Sequence, residues 1–197
     1  MSRWIEPTTL QGRHARLEPL AAEHVEDLRV AVADGELWKL WYTSVPQPAA
    51  VDAWVAAALK QREELGALSF VIRRADDGKI VGATRYFNVA TEHRRLEIGH
   101  TFYSASVQRT AINTESKLLL LTHAFEKLAC IGVELRTHHM NQTSRRAIER
   151  LGAKLDGVLR SHQVMPDGSL RDTCVYSIVA PDWPAVRNNL SFRLASR

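Results

Sequence analysis

Apolar and polar residues follow two different spacings along this 197-residue chain. Runs in which every residue or every second residue is apolar predict strands, and apolar residues three and four positions apart predict helices. The predicted strands cover residues 13–20, 68–73, 80–87, 95–102, 133–137, 154–164 and 170–179. The predicted helices cover residues 23–32, 51–65, 114–127 and 143–151, and a short helix with a loose end is predicted after Pro181.

Turn-forming residues separate these segments. Gly66 ends the second helix, and the run Asp-Asp-Gly-Lys at 76–79 predicts a hairpin, because glycine accepts the positive φ that such turns need. The run Pro-Asp-Gly at 166–168 predicts a turn into the last strand. Antiparallel strands thus precede a strand–helix–strand crossover, which predicts a mixed α and β (α+β) class. We expect a single domain over residues 1–197, in which 181–197 form a C-terminal tail.

Composition excludes several classes of protein. Apolar residues make up 45% and charged residues 24% of the chain, a balance typical of a globular domain. No apolar stretch approaches the roughly 20 residues that span a bilayer, and the first residues lack an apolar signal segment, so we expect a cytoplasmic protein. The net charge of +4 suits a polyanionic cofactor at least as well as nucleic acid. Without a run of basic residues or a membrane-spanning stretch, we expect neither a nucleic-acid partner nor a membrane partner. Cys130 and Cys174 are expected to be buried structural thiols.

The segment from Leu96 to Leu121 carries the clearest chemical signal. It predicts a strand, a loop of small and polar residues, and the start of a helix. The unpaired N–H groups and partial positive charge of a helix N-terminus form a natural phosphate site, and Arg109 adds a full charge there. Either Asn113 or Thr114 is predicted to cap this helix. Many capped helices bind no phosphate, so this pattern alone does not identify a ligand.

Three blocks of the sequence together resemble one family. They are Leu10–Leu20; the set Glu97-Ile98-Gly99, Gln108–Asn113 and Thr114-Glu115-Ser116; and Asn141–Ala153, which ends in Leu-Gly-Ala. Their order and spacing resemble the GNAT superfamily of N-acetyltransferases, in the branch that includes ribosomal-protein N-terminal (alanine/serine) acetyltransferases. Where that branch usually has two small residues in its phosphate loop, this chain has Ala111 and Asn113. Asparagine tolerates the left-handed conformation, so we expect the loop to keep its function.

The resemblance implies a fold, a co-substrate and a reaction. The fold is a GNAT-like domain with a central, mostly antiparallel twisted sheet of about six to seven strands flanked by about four helices. The co-substrate is acetyl-CoA, without a metal, and the acetyl group passes by direct attack in a ternary complex to a primary amine. That amine belongs to a protein N-terminus or to a small molecule. The cofactor-binding residues implied are Phe102, Tyr103, Gln108, Arg109, Thr110, Ala111, Ile112, Asn113, Thr114, Asn141, Ser144 and Arg146.

Such a reaction requires a base for the amine. Glu97 is the first candidate, because it lies on the strand expected beside the acetyl group and a buried carboxylate has a raised pKa. The alternative is that Glu97 forms a structural ion pair with Arg85 or Arg95. His100 is the second candidate, and strand alternation places it on the face opposite Glu97 unless a bulge intervenes.

The departing thiolate benefits from an acid, and the developing negative charge on oxygen needs N–H donors. The resemblance assigns the donor role to the backbone of Phe102 or Tyr103. Many GNAT members supply the acid from a tyrosine at the position of Ile148, which cannot donate a proton. Ser144 and Tyr176 are the remaining candidates for the acid. A hydroxyl bonded within its own helix and a core tyrosine are the respective structural alternatives.

The loop over 38–48 is rich in aromatic residues and is predicted either to line the acceptor site or to pack on the core. The substrate-binding candidates are Trp38, Trp41, Tyr42 and His100. His138-His139 is not expected to bind a metal, because adjacent strand residues point apart. A non-enzymatic acyl-CoA-binding module is the alternative function, and both a monomer and a homodimer are compatible with the sequence.

Overall fold

A computed structural model describes residues 4–196. Within them, eight strands form one sheet: β1 (Leu10–Gln11), β2 (Ala15–Pro19), β3 (Leu68–Arg74), β4 (Ile80–Ala90), β5 (Arg95–Tyr103), β6 (Gly132–His138), β7 (Lys154–Val164) and β8 (Leu170–Val179). The five α-helices are α1 (Val25–Ala33), α2 (Val51–Leu65), α3 (Ala111–Thr122), α4 (Gln142–Leu151) and α5 (Trp183–Ala195). The ends of the expected domain, 1–3 and 197, lie outside the described residues.

The strands lie in the order β1-β2-β3-β4-β5-β6-β8-β7. Neighbouring strands are antiparallel, apart from β5 and β6, which run parallel. The predicted hairpin between β3 and β4 is confirmed, and Gly78 has the expected positive φ of 71°. The α+β class and the mostly antiparallel sheet are therefore confirmed.

Helices cover both faces of the sheet. Helices α1 and α2 pack on one face, where Leu28, Val55 and Phe102 belong to the same buried cluster. Helices α3, α4 and α5 cover the other face, in a larger cluster that includes Leu120 and Leu190. We call these the α1–α2 face and the α3 face. Both cysteines are buried and free, as expected.

The sheet opens between its two parallel strands. Pairing between β5 and β6 joins Arg95–Glu97 to Gly132–Glu134, whereas β5 continues to Tyr103 and β6 to His138. Beyond Glu97 the two strands therefore diverge and leave an opening at their carboxyl ends. This opening positions the site described below.

Three elements differ from the sequence prediction. The two-residue strand β1 and the full helix α5 bring the totals to eight strands and five helices within residues 4–196. Helix α3 begins at Ala111 instead of 114, and its predicted last turn is a π-helical turn, His123–Lys127. Helix α5 has 13 residues where a short helix was predicted, because Trp183, Val186 and Leu190 bury their side chains. Over residues 4–196, no helix is long and apolar enough to cross a membrane.

Candidate active site

Two helices begin at the edge of the sheet where the opening lies. Because β5 and β6 are parallel, their carboxyl ends face the same edge, and each strand is followed by a helix, α3 or α4. The first N–H groups of a helix have no partners within it, so both helix N-termini offer donors at this edge. The arrangement suits an anionic ligand that enters the opening.

The loop before α3 is exposed at Gln108, Arg109 and Thr110. Thr110 caps the helix, because its hydroxyl accepts the N–H of Ile112 at 3.4 Å and donates to the carbonyl of Val107 at 2.7 Å. The prediction that Asn113 or Thr114 is the cap is therefore wrong. The helix starts earlier because Thr110 is itself an extended residue with a side-chain oxygen, a combination favoured at N-caps.

The left-handed residue of this loop is Arg109, with φ at 63°. Ala111 and Asn113 lie in the first turn of α3, so the left-handed conformation considered for Asn113 does not occur. Ile112 and Thr114 are buried, and the Thr114 hydroxyl accepts from the Arg150 guanidinium at 3.4 Å. Of the predicted cofactor-binding side chains between 108 and 114, those at 108–110 are thus the exposed ones.

At the start of α4, Asn141 caps its own helix. Its Oδ1 accepts the N–H of Ser144 at 3.0 Å. Ser144 is half-buried, and Arg146 follows it in the first turns of the helix. These residues stand across the opening from the loop before α3.

A bulge in β5 changes the direction of its side chains. Arg85 lies opposite Gly99 and Ala83 opposite Phe102, so His100 and Thr101 share one place in the ladder, and His100 has φ at 48°. Alternation is interrupted there. The bulge anticipated as the exception is present, and it brings His100 onto the α1–α2 face.

Glu97 lies on the same face. It pairs in register with Phe87, and the Phe87 ring lies 4.8 Å from the His100 ring between centroids. Since residues paired across strands project on one side of a sheet, Glu97, Phe87 and His100 share the α1–α2 face beside the opening. The two candidate bases are therefore neighbours.

The Glu97 residue is 4% exposed. Asn88 Nδ2 donates to its Oε2 at 2.8 Å, and Arg136 Nε lies 3.4 Å from the same oxygen. Burial raises the pKa of Glu97 against the opposing effects of Asn88 and Arg136. Its ion-pair partner is Arg136, so the alternative partners Arg85 and Arg95 were wrong.

The His100 residue is exposed, and its ring packs against that of Phe87. Desolvation of the imidazole by surrounding atoms lowers the pKa of His100 to about 4, and the positive charges of Arg85 and Arg171 act in the same direction. The imidazole is thus neutral at neutral pH and would accept a proton only weakly. This comparison favours Glu97 over His100 as a base.

The two predicted donors, the backbone N–H groups of Phe102 and Tyr103, point in opposite directions from β5. Ser104 N donates to Val81 O at 2.8 Å, and Tyr103 lies opposite Gly82. Because N–H groups alternate in direction along a strand, the amide of Tyr103 points away from β4 and into the opening. The amide of Phe102 points toward β4, and its ring packs 6.1 Å from that of Trp54.

A buried lysine supports the bulge from the α3 face. Lys117 Nζ donates to the Thr101 hydroxyl at 2.9 Å, and Thr101 lies 2.8 Å from the Thr84 hydroxyl. Burial lowers the pKa of Lys117 to about 7. Sequence reasoning missed this group, although a lysine three and four positions before Leu120 and Leu121 signals a charge on the apolar face of a helix.

The aromatic loop reaches the end of β6. The Trp41 ring lies 5.0 Å from that of His138, and the Tyr42 ring lies 6.4 Å from it. Trp41 is 53% exposed, whereas Trp38 is half-buried. Trp41 and Tyr42 thus lie beside the carboxyl end of β6. Within residues 4–196, no group of three metal-binding side chains accompanies His138.

Tyr176 lies on the α3 face, beneath α4. Its hydroxyl donates to Glu149 at 2.8 Å and accepts from Arg145 Nε at 3.0 Å. Burial raises the pKa of Tyr176. Ser144, in the first turn of α4, lies closer to the helix N-terminus than either of these partners.

Known acetyltransferases share this architecture. The family profile of the acetyltransferase (GNAT) domain matches residues 14–154. YoaA of Bacillus subtilis (strain 168), an uncharacterised N-acetyltransferase, is 29% identical over 125 residues, which are 64% of this chain and 68% of YoaA. A putative acetyltransferase from T. thermophilus is 34% identical, with a TM-score of 0.84 over 97% of this chain and 99% of its own. A GCN5-related N-acetyltransferase from Brucella melitensis is 29% identical, with a TM-score of 0.86 over 96% and 86%.

Two more distant structures share the fold. RimJ of Mycobacterium smegmatis, solved with CoA-disulfide, is 21% identical, with a TM-score of 0.79 over 95% of both chains. RimL, a ribosomal L7/L12 alpha-N-protein acetyltransferase solved with coenzyme A, is 17% identical, with a TM-score of 0.74 over 87% of this chain and 98% of its own. Both belong to the branch that the sequence blocks resemble. Because the GNAT domain profile matches most of this chain, the chain belongs to the GNAT family of acetyltransferases.

Proposed function

We propose that this acetyltransferase transfers the acetyl group of acetyl-CoA to a primary amine by direct attack in a ternary complex. The observation that carries the proposal is the placement of Glu97, a buried carboxylate with a raised pKa, at the point where β5 and β6 diverge. Two helix N-termini face the same opening. The domain responsible is taken to span residues 1–197.

The loop before α3 fits the phosphates of CoA. Gln108, Arg109 and Thr110 are exposed, and the cap at Thr110 starts the helix directly behind them. Ala111 is small enough for a close approach of the backbone to an anion. Asn141 Nδ2 and Arg146 would bind from α4, and Asn113 and Thr114 would contribute through the first turn of α3. Acetyl-CoA supplies an acetyl thioester, and relatives solved with CoA support CoA as the ligand.

Glu97 acts as the base in this proposal. A carboxyl group with a raised pKa accepts a proton from the amine more readily than an exposed carboxylate does. Its hydrogen bond from Asn88 and its ion pair with Arg136 fix the orientation of Oε2. His100, Trp38, Trp41 and Tyr42 would form the wall against which the acceptor lies.

The Tyr103 amide is proposed to stabilise the negative charge that develops on the carbonyl oxygen. For the acid we favour Ser144, because it lies in the first turn of α4, the helix that begins at the edge where the sheet opens. Tyr176 is the second candidate, although its hydroxyl already donates to Glu149. The alternative function, a non-enzymatic acyl-CoA-binding module, is favoured by the buried apolar Ile148 where many relatives carry a tyrosine.

The test begins with calorimetric titration of acetyl-CoA into the wild type, Thr110→Asp and Thr110→Asn. Aspartate and asparagine are both good N-caps, so α3 should persist in either variant. The aspartate adds a negative charge where the phosphates would bind, and we expect it to weaken affinity by about 10-fold or more relative to Thr110→Asn. Release of CoA is then followed with a panel of small primary amines and of peptides with free N-termini.

The outcomes separate the two functions. Equal affinity in Thr110→Asp and Thr110→Asn would contradict the placement of the phosphates. Turnover with at least one amine supports the acetyltransferase, whereas tight binding without turnover across the panel favours the binding module.

A further inference from the structure

Arg85 is a buried guanidinium on β4, which lies next to β5 on one side of the opening. It is 3% exposed, its Nη1 donates to Gln61 Oε1, and its Cζ lies 5.6 Å from the centre of the Trp54 ring. Its Nε is buried without a hydrogen-bond partner among the described residues. Arg85 also lies two residues before Phe87 on β4, so it shares the α1–α2 face with Glu97.

Arg171 approaches from the opposite wall. It lies on β8 two residues before Thr173, which pairs with His138 at the end of β6, so its side chain is also on the α1–α2 face. Its Nε donates to the Thr173 hydroxyl at 3.0 Å, and the side chain is half-buried. Arg85 lies opposite Gly99, the residue before His100, and the bond from Arg171 to Thr173 directs the second guanidinium toward the end of β6, across the opening.

The charges of this face do not balance. Arg95 and Arg136 are matched by Glu97 and Glu134 in ion pairs. Within residues 4–196, neither of the other two arginines joins an ion pair with a carboxylate. A charge withdrawn from water without a partner carries a large desolvation cost, and the ring of Trp54 offsets only part of it for Arg85. Glu97 also attracts Arg171, but it is already paired with Arg136, so these four arginines exceed these two glutamates and leave an excess of positive charge on the face.

These charges are separate from the phosphate-binding edge. The loop before α3 and the helix itself pack on the α3 face, whereas Arg85 is covered by α2 through Gln61 and Trp54. An anion at Arg85 and Arg171 would lie beside Glu97 and His100, where the acceptor amine must be. The ligand that supplies this anion is therefore the acceptor.

We propose that the acceptor is an amine that also carries a carboxylate or phosphate group, which binds between Arg85 and Arg171 while Glu97 receives the amine. This inference rests on the proposed function and specifies its substrate class. A guanidinium pair holds such an anion through charge-assisted hydrogen bonds. Cationic amines, such as polyamines, would be repelled by the same pair.

Matched acceptors test the proposal. γ-Aminobutyrate is compared with its amide and phosphoethanolamine with ethanolamine, as free small molecules. C-terminally amidated peptides beginning Ala-Asp are compared with the same peptides beginning Ala-Asn, as protein N-termini. We expect the anionic member of at least one pair to be preferred in kcat/KM by about 10- to 100-fold, mainly through KM. If the preference appears among the small molecules, the acceptor is a free amine, and if it appears among the peptides, the acceptor is a protein N-terminus.

Variants then locate the preference. We expect Arg171→Gln and Arg85→Gln each to reduce kcat/KM for the anionic acceptor by about 10-fold or more. The kcat/KM for the matched neutral acceptor should change little. Arg193→Gln, on the exposed side of α5, is the control and should leave both unchanged. If the buried Arg85 variant fails to fold, the half-buried Arg171 variant still decides the question.

Calorimetry with the CoA-loaded protein separates this inference from the proposed function. Binding of anionic acceptors that depends on Arg171, without any turnover, would support the anion site and refute the acetyl transfer. Turnover in which neutral amines match or exceed their anionic partners would overturn the inference and leave the acetyltransferase intact. Absence of binding by every anionic acceptor would also overturn it.

Discussion

Burial of Glu97 raises the pKa of this carboxyl group and ties its proposed role to pH. If Glu97 is the base, kcat/KM rises with pH as the carboxyl loses its proton, at a pKa above the usual value of 4.5. We expect Glu97→Gln to lower kcat by about 100-fold or more and to remove this limb of the pH–rate profile. Its affinity for acetyl-CoA, measured by calorimetry, should not change.

The same pKa shift affects folding. Because native Glu97 holds its proton more tightly than the unfolded chain does, its contribution to stability falls as pH rises through the raised pKa. The Tm of Glu97→Gln at neutral pH should therefore equal or exceed that of the wild type.

Glu134→Gln is the matched control, since Glu134 pairs in register with Glu97. Although partial burial opposes its ionisation, hydrogen bonds from Arg136 and Arg95 hold the pKa of Glu134 below its usual value. The ionised Glu134 carboxylate stabilises the fold at neutral pH, and this effect is lost on acidification. Glu134→Gln should therefore have a lower Tm than the wild type at neutral pH, while its pH–rate profile keeps the limb. A limb that survives in Glu97→Gln would show that another group is the base.

At the scale of elements, one carboxylate joins the β1–β2 turn to α3. Glu115 accepts the backbone N–H groups of Arg13 at 2.9 Å, His14 at 2.6 Å and Ala15 at 2.7 Å. A Cβ at Gly12 would lie 2.4 Å from the Glu115 carboxyl carbon. We expect Gly12→Ala to displace this carboxylate and to lower the free energy of unfolding by about 1–3 kcal/mol in chemical denaturation.

Gly157→Ala serves as the control for that prediction. A Cβ at Gly157 meets nothing within 4 Å, so we expect a change within about 0.5 kcal/mol. Equal losses in the two variants would show that the close contact with Glu115 is not what requires glycine at position 12.

Most elements could be predicted from the sequence because their signals are local. The apolar runs of β3, β4 and β8 and the turn at Gly78 depend on neighbouring residues, and the structure confirms them. The start of α3 was misplaced because several residues there are good caps, and which of them acts depends on how the preceding loop leaves β5. The bulge at His100 was considered only as the exception to strand alternation, and its support by Lys117 requires α3 to pack beneath β5.

At the scale of the whole molecule, α5 completes the core of the α3 face. Leu190 is fully buried, whereas Phe192, two residues later, is 72% exposed. We expect Leu190→Ala to lower the free energy of unfolding by about 2–5 kcal/mol and Phe192→Ala to change it by no more than about 0.5 kcal/mol, both measured by denaturant titration. Similar losses in both variants would contradict the placement of this helix.

The sequence by itself determined the α+β class, the order of the main elements and the family, because apolar periodicity, turn residues and ordered motifs are encoded over short stretches of chain. It also marked Glu97 and the loop at 108–110 as candidates. Only the tertiary structure decided that Arg136 is the partner of Glu97, that His100 shares its face, and that Arg85 and Arg171 lie on this same face outside any ion pair with a carboxylate among residues 4–196. The reason is physical: ion pairs, burial and the resulting pKa shifts arise between strands far apart in sequence, and their register exists only once the sheet has formed.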